Sequence, residues 1–505
     1  MDRCSRRTGV AEGWLLIAII LCSFSASDAF AESDEYARRL NEARALLQQQ
    51  KAHEALAAFQ ALLAEQPSLP ASIGAARASA MTDQPQEALR YYRQALGIAE
   101  DEEERNVARF GIARMLLWLE QYQDAEVMYT DLASRPLSTE DHSFASAGLM
   151  RSLSFQNKPI KAYRSASSNT PLLAPEKLEL ARAALWSGLP DKAAEIIDQG
   201  IAVEPDTRMA RELGALQSEV QAETANPLDF HAEFTSDSDD LRTMKSELAA
   251  AVRPFPAGTA GLVAQHQGFT RHEQSLTMNG LQARVSSRTE DRLLLSIQGG
   301  PAAYGDWRTA LWSGSAVFRP DDNMRYETYA SREAVETFPA FERHIRFDTA
   351  GLGATYSPAG FVLAASLYRQ TFSDDNRRLG VSGALGVPVS EPLGLSVRLR
   401  ARYFGSGRTD TVGYFNPDRF MHEQLLFELN RLLGQNWRLY AAAGPGLQRI
   451  TPGERSTTAL AELSIQGALY RSLAIGIDCG YSSSAIASSS GYRRQYAALS
   501  LSHPW

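Results

Sequence analysis

The sequence predicts a two-domain α + β chain, an N-terminal α-helical solenoid followed by a C-terminal antiparallel transmembrane β-barrel of about 14–16 strands. Three observations predict it: a secretory leader, apolar residues at helical spacing as far as residue 225, and apolar residues at alternate positions from Asp229 onward. The period changes once, near Asn226-Pro227. We therefore place the leader at residues 1–31, the helical domain at 32–225 and the barrel at 226–505.

The leader has the three parts of a cleaved signal peptide. Three arginines supply positive charge, Trp14 to Leu21 form a short apolar core, and Ala29-Phe30-Ala31 is an A-x-A cleavage site. The core is shorter than the ~20 residues of a spanning helix. A lipid-carrying Cys22 is disfavoured, because no small residue precedes it. Cleavage leaves Cys479 as the only cysteine, which excludes a disulfide-stapled secreted domain.

Composition excludes several classes of function. The net charge is −8 and no basic run stands out, so nucleic acid is not an expected partner. No G-x-S-x-G, H-E-x-x-H or Walker motif is present, and the histidines do not cluster at metal-ligand spacing. We interpret Asp237-Ser-Asp-Asp240 and Asp101-Glu-Glu-Glu104 as solvated turns rather than cation sites. We therefore expect no enzymatic activity, no cofactor and no metal; the enzymatic alternative is a Ser and a His facing each other outside the barrel.

Residues 36–224 contain a repeated helical pattern. An alanine is followed four residues later by an aromatic or branched residue, a pattern that weakens at Ala162, and successive alanines are 33, 37, 37 and 31 residues apart. The pattern resembles the tetratricopeptide repeat, with about five helix pairs and a capping helix; the alternative is a non-repetitive bundle with chance alanines. Such a solenoid offers a concave surface to a protein or an extended ligand. The predicted packing residues are Ala55, Phe59, Ala88, Tyr92, Ala125, Tyr129 and Ala193.

The second half alternates apolar and polar residues in segments of the length that a tilted membrane strand needs. Arg398, Arg400 and Arg402 share one face of such a segment, and Glu428 lies on the polar face of another. Because charge on the lipid face is costly, we expect all four side chains to line the pore. The alternative fold is a large soluble β-sandwich, which the length of the segments and the lack of bulky residues on alternate faces disfavour.

Aromatic residues occur near many predicted strand ends, where interface girdles require them. The residues concerned are Tyr304, Trp307, Tyr326, Tyr329, Phe347, Tyr356, Tyr368, Tyr403, Tyr470 and Tyr481. The last segment has apolar residues at alternate positions, including Leu499 and Leu501, before the terminal Trp505. This ending resembles the signal that barrel-assembly machinery recognises, so we expect that machinery and outer-membrane lipid to be partners.

A polar segment, Gly405 to Phe420, contains the motif Tyr414-Phe415-Asn416-Pro417. The simplest interpretation is an ordinary extracellular loop with a proline turn. The motif is followed by a strand, by Trp437-Arg-Leu-Tyr440 and by Gly444-Pro-Gly446. Together with the order of leader, repeats and barrel, these features resemble the bacterial exporters of poly-N-acetylglucosamine and cellulose. The present repeat array is much shorter than theirs, which leaves the partners of the helical half open.

The resemblance implies an outer-membrane porin with its helical domain in the periplasm. The barrel would conduct a polysaccharide chain, and the repeats would dock that chain or periplasmic or inner-membrane biosynthesis proteins. Arginines in the lumen favour an anionic or neutral polymer over a cationic one. The layout also resembles surface lipoprotein assembly modifiers, which would translocate lipoproteins, and a third possibility is a structural or adhesin-type barrel. Fourteen strands favour the modifier and sixteen the porin.

Overall fold

A computed structural model describes residues 34–166, 172–203, 208–255, 257–289, 292–411, 413–434, 436–453, 455–470, 473–484 and 493–504. The predicted fold class is confirmed, because helices precede a closed antiparallel barrel of sixteen strands. The last helix before the barrel ends at Thr224 and the first strand begins at Pro227, where the apolar period changes. The predicted signal peptide and Trp505 lie outside the described residues.

Eleven helices are described before the barrel. They are α1 (residues 34–48), α2 (Ala52–Glu65), α3 (Leu69–Met81), α4 (Pro85–Ile98), α5 (Glu102–Trp118), α6 (Tyr122–Ala133), α7 (Thr139–Phe155), α8 (Pro159–Ser165), α9 (Ala174–Trp186), α10 (Pro190–Val203) and α11 (Arg208–Thr224). Side-chain oxygens of Ser68, Asp101 and Ser138 accept hydrogen bonds from backbone N–H groups of α3, α5 and α7. These caps satisfy donors that the first turn of a helix leaves unpaired.

The repeat-packing residues form the core of the helical array. Ala55, Ala88 and Ala125 are fully buried. The aromatic ring that follows each alanine packs on the first helix of the next pair: a Cβ built on Gly74 would lie 2.3 Å from the Phe59 ring. Glycine is therefore required for the close approach of successive repeats. The same arrangement recurs between Tyr92 and Gly111 and between Tyr129 and Gly148.

The acidic run at the start of α5 acts as a helix cap. The Asp101 carboxylate accepts from the backbone N–H of Glu104 at 2.8 Å, and the Glu104 carboxylate accepts from the backbone N–H of Glu100 at 2.9 Å. Acidic residues are also favoured in this first turn because the helix dipole is positive there. The acidic run therefore caps α5 at the protein surface, which agrees with its interpretation as a solvated turn at the start of a helix.

The chain forms two compact units. One comprises residues up to 158 and residues 165–179, and the other comprises residues 159–164 and 180–505. Helices α10 and α11 thus belong to the unit that holds the barrel. Inside that unit, Asp191 at the start of α10 pairs with Arg253 at 2.9 Å and accepts from the backbone N–H of Ala257 at 2.9 Å. These contacts attach α10 to the turn between the second and third strands.

The barrel strands are β1 (Pro227–Asp237), β2 (Arg242–Phe255), β3 (Gly258–Arg271), β4 (Gln274–Arg288), β5 (Leu293–Tyr304), β6 (Trp307–Phe318), β7 (Met324–Ala334), β8 (Arg346–Tyr356), β9 (Val362–Phe372), β10 (Arg377–Ser390), β11 (Leu395–Ser406), β12 (Arg419–Leu433), β13 (Trp437–Thr451), β14 (Arg455–Tyr470), β15 (Leu473–Ser482) and β16 (Arg494–Pro504). A short helix, α12 (Phe338–Glu342), lies between β7 and β8.

Each strand pairs with its neighbours in sequence, and β1 closes the sheet on β16 with Phe230 opposite Leu501. We call the end where β1 begins and β16 ends the near end, and the opposite end the far end. The near-end turns are short, whereas the far end carries the longer connections at residues 335–345 and 407–418. Closure leaves no strand edge unpaired, which is the condition for a sheet in hydrocarbon.

Side chains alternate between a lipid-facing and a lumen-facing surface. Leu248, Leu352 and Phe427 are exposed on the outside, where they suit an apolar environment. Leu499 and Leu501 lie on this outward face of β16, opposite Ala232 and Phe230 of β1. Cys479 is exposed on β15 and is the one free cysteine among the described residues. Among those residues, no helix has the length and apolarity needed to cross a bilayer.

The prediction of aromatic girdles is only partly right. Tyr326, Tyr356 and Tyr403 are exposed on the outside. In contrast, Tyr304, Trp307, Tyr329, Phe347 and Tyr368 alternate with the outward residues of their strands and belong to clusters inside the far end. Strand-end position alone does not set the face of a side chain. The parity along the strand does.

Candidate functional site

The candidate functional site is the lumen of the barrel, and the predicted charged residues lie on its wall. The register places Arg398, Arg400 and Arg402 opposite Gly386, Ala384 and Ser382 of β10. Their neighbours in sequence, such as Leu399, are exposed on the outer surface. The alternation therefore directs the three guanidinium groups inward.

Glu428 compensates part of this positive charge. Its carboxylate lies 3.0 Å from Arg398 Nε and 3.8 Å from Arg400 Nη2, and it accepts from the Tyr440 hydroxyl at 3.1 Å. Glu428 is almost fully buried. One carboxylate thus faces two guanidinium groups, so this part of the wall has less positive charge than three arginines alone suggest.

Arg402 has a different environment. Its Nη2 donates to the Tyr368 hydroxyl at 3.2 Å, and the guanidinium lies 5.7 Å from the centre of the Tyr368 ring. The ring and the hydroxyl hold the cation in place without neutralising it. Arg402, with Arg400, Gln424, Glu462 and Tyr496, lines a cavity of about 600 Å³ inside the barrel.

A chain of glutamine amides, which the sequence analysis did not identify, crosses the lumen wall from β3 to β5. Gln298 Nε2 donates to Gln282 Oε1, and Gln282 Nε2 donates to Gln265 Oε1 at 3.3 Å. Glu247 accepts from Gln265 at 3.0 Å, and Arg284 donates to Gln298 at 2.6 Å. We call Gln265, Gln282 and Gln298 the amide ladder. Its sequence signal is glutamine at lumen-facing positions of three consecutive strands.

The ends of the amide ladder are charged and compensate each other. Arg284 Nη2 lies 3.3 Å from Glu247 Oε1, so the two groups form an ion pair. Lys245 is 3.8 Å from the other oxygen of the same carboxylate. Arg284 and Lys245 thus share the single carboxylate of Glu247, so this wall presents amide donors and acceptors with one net positive charge.

The loop motif folds into the far end of the barrel and does not form an exposed polar loop. Tyr414 stacks on Phe372 with ring centres 4.6 Å apart and an angle of 6° between the rings. Its hydroxyl donates to Asp374 at 3.0 Å, and Asn376 Nδ2 donates to that hydroxyl at 3.0 Å and to Asn416 Oδ1 at 2.8 Å.

The remaining motif residues anchor the loop. Phe415 is buried with its ring centre 6.2 Å from Phe404 and 5.6 Å from Phe420. Pro417 is also buried. The motif is therefore the part of loop 407–418 that fixes the loop against the inner wall.

A second loop, residues 335–345, enters the far end beside the first. Thr337 caps α12 and its hydroxyl donates to the Gly413 carbonyl, which joins the two loops. Phe341 packs against Phe269 and Tyr304 at ring-centre distances of 4.8 and 5.2 Å. The sequence signal for this loop, missed above, is an apolar Phe-Pro-Ala-Phe stretch where a polar turn is expected.

Both loops line a cavity of about 930 Å³, together with residues of the barrel wall such as Gln267. Glu336 lies against this cavity, and Gln267 Nε2 donates to its carboxylate at 3.3 Å. Burial raises the pKa of the Glu336 carboxyl above its ordinary value. A loop-borne acid thus lies in the path along the barrel axis.

The predicted repeat-packing residues are not part of any open surface. Ala55, Ala88, Ala125 and Ala193 have no exposed area. Over the described part of the chain, no group of three or more His, Cys, Asp or Glu side chains is arranged to hold a metal ion. The candidate functional site therefore consists of the lumen and its two loops.

Comparisons with known proteins show a remote likeness. No protein-family model matches the chain, and no curated protein matches its sequence. A bacterial polysaccharide outer membrane secretin aligns at 13% identity and a TM-score of 0.49, over 56% of this chain and 99% of its own. Pseudomonas aeruginosa OccK5 aligns at 11% identity and 0.33, over 56% and 99%. YrrB, a TPR protein with an unusual peptide-binding site, aligns at 19% identity and 0.28, over 35% and 90%. At these values the likeness does not bear on function.

Proposed function

We propose that this protein is an outer-membrane porin that exports an exopolysaccharide through its barrel. The amide ladder carries the proposal. A sugar polymer presents hydroxyl groups as donors and acceptors along its whole length, and it slides most easily along a wall that offers both without strong charge. The ladder of Gln265, Gln282 and Gln298 is such a wall. Phe347 and Tyr414, which are half-buried and line the far-end cavity, add aromatic surface against which sugar rings can pack.

The strand number supports the porin over the lipoprotein modifier. The barrel closes with sixteen strands, and fourteen would have favoured the modifier. The lumen is also crossed by two inward loops and paired side chains, which suit an extended single chain better than a folded protein. Lipoprotein translocation nevertheless remains the second candidate to test.

In this proposal the near end faces the periplasm. The helices precede β1, which starts at the near end, and α10 is attached to a near-end turn. The helical repeats would dock the polymer or the proteins that make it. The far end, with its inward loops, would then be the exit to the cell surface.

The lumen charge favours a neutral or anionic polymer. Glu428 compensates only part of the charge of Arg398 and Arg400, and Arg402 contacts no carboxylate among the described residues. The test replaces Arg398, Arg400 and Arg402 with glutamine in the full chain. We expect surface polymer to fall severalfold, because a wall without these cations holds an anionic or polar chain less strongly. The matched control is Arg431→Gln on the outward face.

Deletion of the whole gene separates the two candidates. Loss of surface polymer with normal surface lipoproteins supports the porin, whereas loss of surface lipoproteins with normal polymer supports the modifier. Unchanged polymer in the deletion strain would reject the proposal outright. Folding of each variant is checked by heat-modifiable mobility in gel electrophoresis, which reports the intact barrel.

A further inference from the structure

The outward face of the barrel differs between its two ends. On strands β8 to β14, an exposed arginine stands at the far end of six strands: Arg346, Arg369, Arg377, Arg419, Arg449 and Arg455. Each has the parity of the lipid-facing residues on its strand, as Arg377 has with Leu379 and Val381. We call these six residues the arginine arc.

The near end of the same strands has the opposite character. Apart from Arg431, its large outward residues are apolar or aromatic, for example Tyr356, Val387 and Leu433. Arg431 is the one arginine in the near-end half of the outward face of these strands, as far as they are described. The outer surface of these strands is thus basic at the far end and apolar at the near end, so the two ends suit chemically different surroundings.

Most arginines of the arc have no carboxylate within ion-pair distance among the described residues. Arg449 and Arg455 lie directly opposite each other on β13 and β14, and like charges in such a pair destabilise a sheet. Within the described residues, only Arg419 of the arc has a carboxylate within ion-pair distance, Asp418 at 4.0 Å. The nearby outward Arg332, by contrast, is paired with Asp348 at 2.7 Å. The guanidinium groups of the arc are therefore charged and available to bind an anion from outside the protein.

The arc also borders the apolar band directly. Leu367 and Leu447 precede Arg369 and Arg449 by two residues on the same face, and both leucines are exposed. Two strand residues span about 6.6 Å. A ligand that reaches both groups must have an anionic head and an apolar body.

We infer that the arginine arc binds the phosphorylated headgroups of lipids in the membrane leaflet at the far end. Guanidinium groups bind phosphate oxygens in pairs and stay charged at any pH of interest. The acyl chains would lie against the exposed aliphatic band below. This binding accounts for the facing Arg449 and Arg455, since an anion between them converts repulsion into attraction. It does not depend on what the barrel exports.

The test uses the purified full-length protein in neutral detergent with bis-phosphorylated lipid A as the probe. Lipid retained through gel filtration is quantified for the wild type and for R369Q/R377Q/R449Q/R455Q. We expect the variant to retain at least about tenfold less lipid, because each arginine near an anionic surface adds to the attraction. The matched control, Arg431→Gln, should retain lipid like the wild type.

Two further arms identify what is bound. Dephosphorylated lipid A should bind no better to the wild type than to the variant, and inorganic phosphate should not displace the bound lipid. Equal retention of bis-phosphorylated lipid A by the wild type and the variant would overturn the inference, as would displacement by inorganic phosphate. Heat-modifiable mobility shows whether the variant barrel is folded. If it is not, the double variant R369Q/R377Q is measured in its place with the same expectations.

Discussion

At the scale of single residues, Gly111 shows how the repeats fit together. A Cβ at this position would lie 2.3 Å from the Tyr92 ring, near the base of the ring, where the side chain has little room to move. We expect Gly111→Ala to destabilise the helical array by about 1–3 kcal/mol, the usual cost of overpacking a core. Urea unfolding of the full chain, followed by its helical circular dichroism signal, measures this.

Gly97 provides the matched control. It lies in α4, and a Cβ built there meets nothing within 4 Å. Alanine is the better helix former by about 0.8–1 kcal/mol. Gly97→Ala should therefore stabilise the same array slightly. If both substitutions stabilise, close packing of Tyr92 on Gly111 is not what limits the approach of the repeats.

The sequence predicted the packing alanines, such as Ala88, but not the partners of the rings that follow them. Recurrence of alanine at regular spacing indicated where helices approach one another. It did not reveal that the Phe59 ring packs on Gly74 of the following pair. That contact depends on how one repeat stacks on the next, and stacking is set by the whole interface rather than by a local pattern.

At the scale of elements, the two far-end loops are the parts that must respond if a chain passes. Glu336 of loop 335–345 faces the lumen cavity and accepts a hydrogen bond from Gln267. Lys245, Glu333 and Arg494 are the other charged groups that act on it. Its pKa is raised above 4.5 by burial, so the inserted loop binds a proton more tightly than a released loop. Insertion is therefore most stable below pH 4.5 and weakens as pH rises through the raised pKa.

This predicts a pH-dependent conductance. In a planar bilayer, the conductance of the full protein should increase as pH rises from 4.5 through the raised pKa of Glu336. The reason is that loss of the Glu336 proton favours release of loop 335–345. Glu336→Gln stays neutral at every pH and should keep the low conductance throughout. A variant that retained the pH dependence of the wild type would show that another group titrates.

Tyr414 is the corresponding anchor of loop 407–418. Tyr414→Ala removes the stack on Phe372 and the bonds to Asp374 and Asn376. We expect a conductance increase of severalfold and faster cleavage of the loop by added protease. Tyr403→Ala, on the outward face of β11, should change neither quantity. Equal protease resistance in Tyr414→Ala and the wild type would mean that Phe415 alone holds the loop.

The loops also show where sequence reasoning reached its limit. Alternation assigns strand residues to a face, and on that basis Arg398, Arg400, Arg402 and Glu428 were placed on the pore side. No such period exists in a loop, so the inward course of residues 407–418 was not predicted from its polar composition. The contacts that decide it, such as Tyr414 on Phe372, join separate loops and carry no local signal.

At the scale of the whole molecule, the order of the two halves and a closed barrel were predicted, but the register of the two closing strands was not. The change of period gave the helix-to-strand boundary, since each element type has its own repeat. Closure requires β1 to pair with β16, with Leu228 opposite His503. Nothing local encodes a contact between segments 275 residues apart. It follows instead from the strand number and from the need to leave no edge in lipid.

The orientation of the whole barrel can be tested directly. In a Cys479→Ser background, one cysteine is introduced at Ser373 in a far-end turn and, in a second variant, at Asp321 in a near-end turn. If the far end faces the outside, a membrane-impermeant maleimide added to intact cells should label Ser373→Cys and not Asp321→Cys. Lysed cells should label both, which shows that each site is reachable. Labelling of Asp321→Cys in intact cells would place the near end outside, and the helical arm would then meet the medium instead of the periplasm.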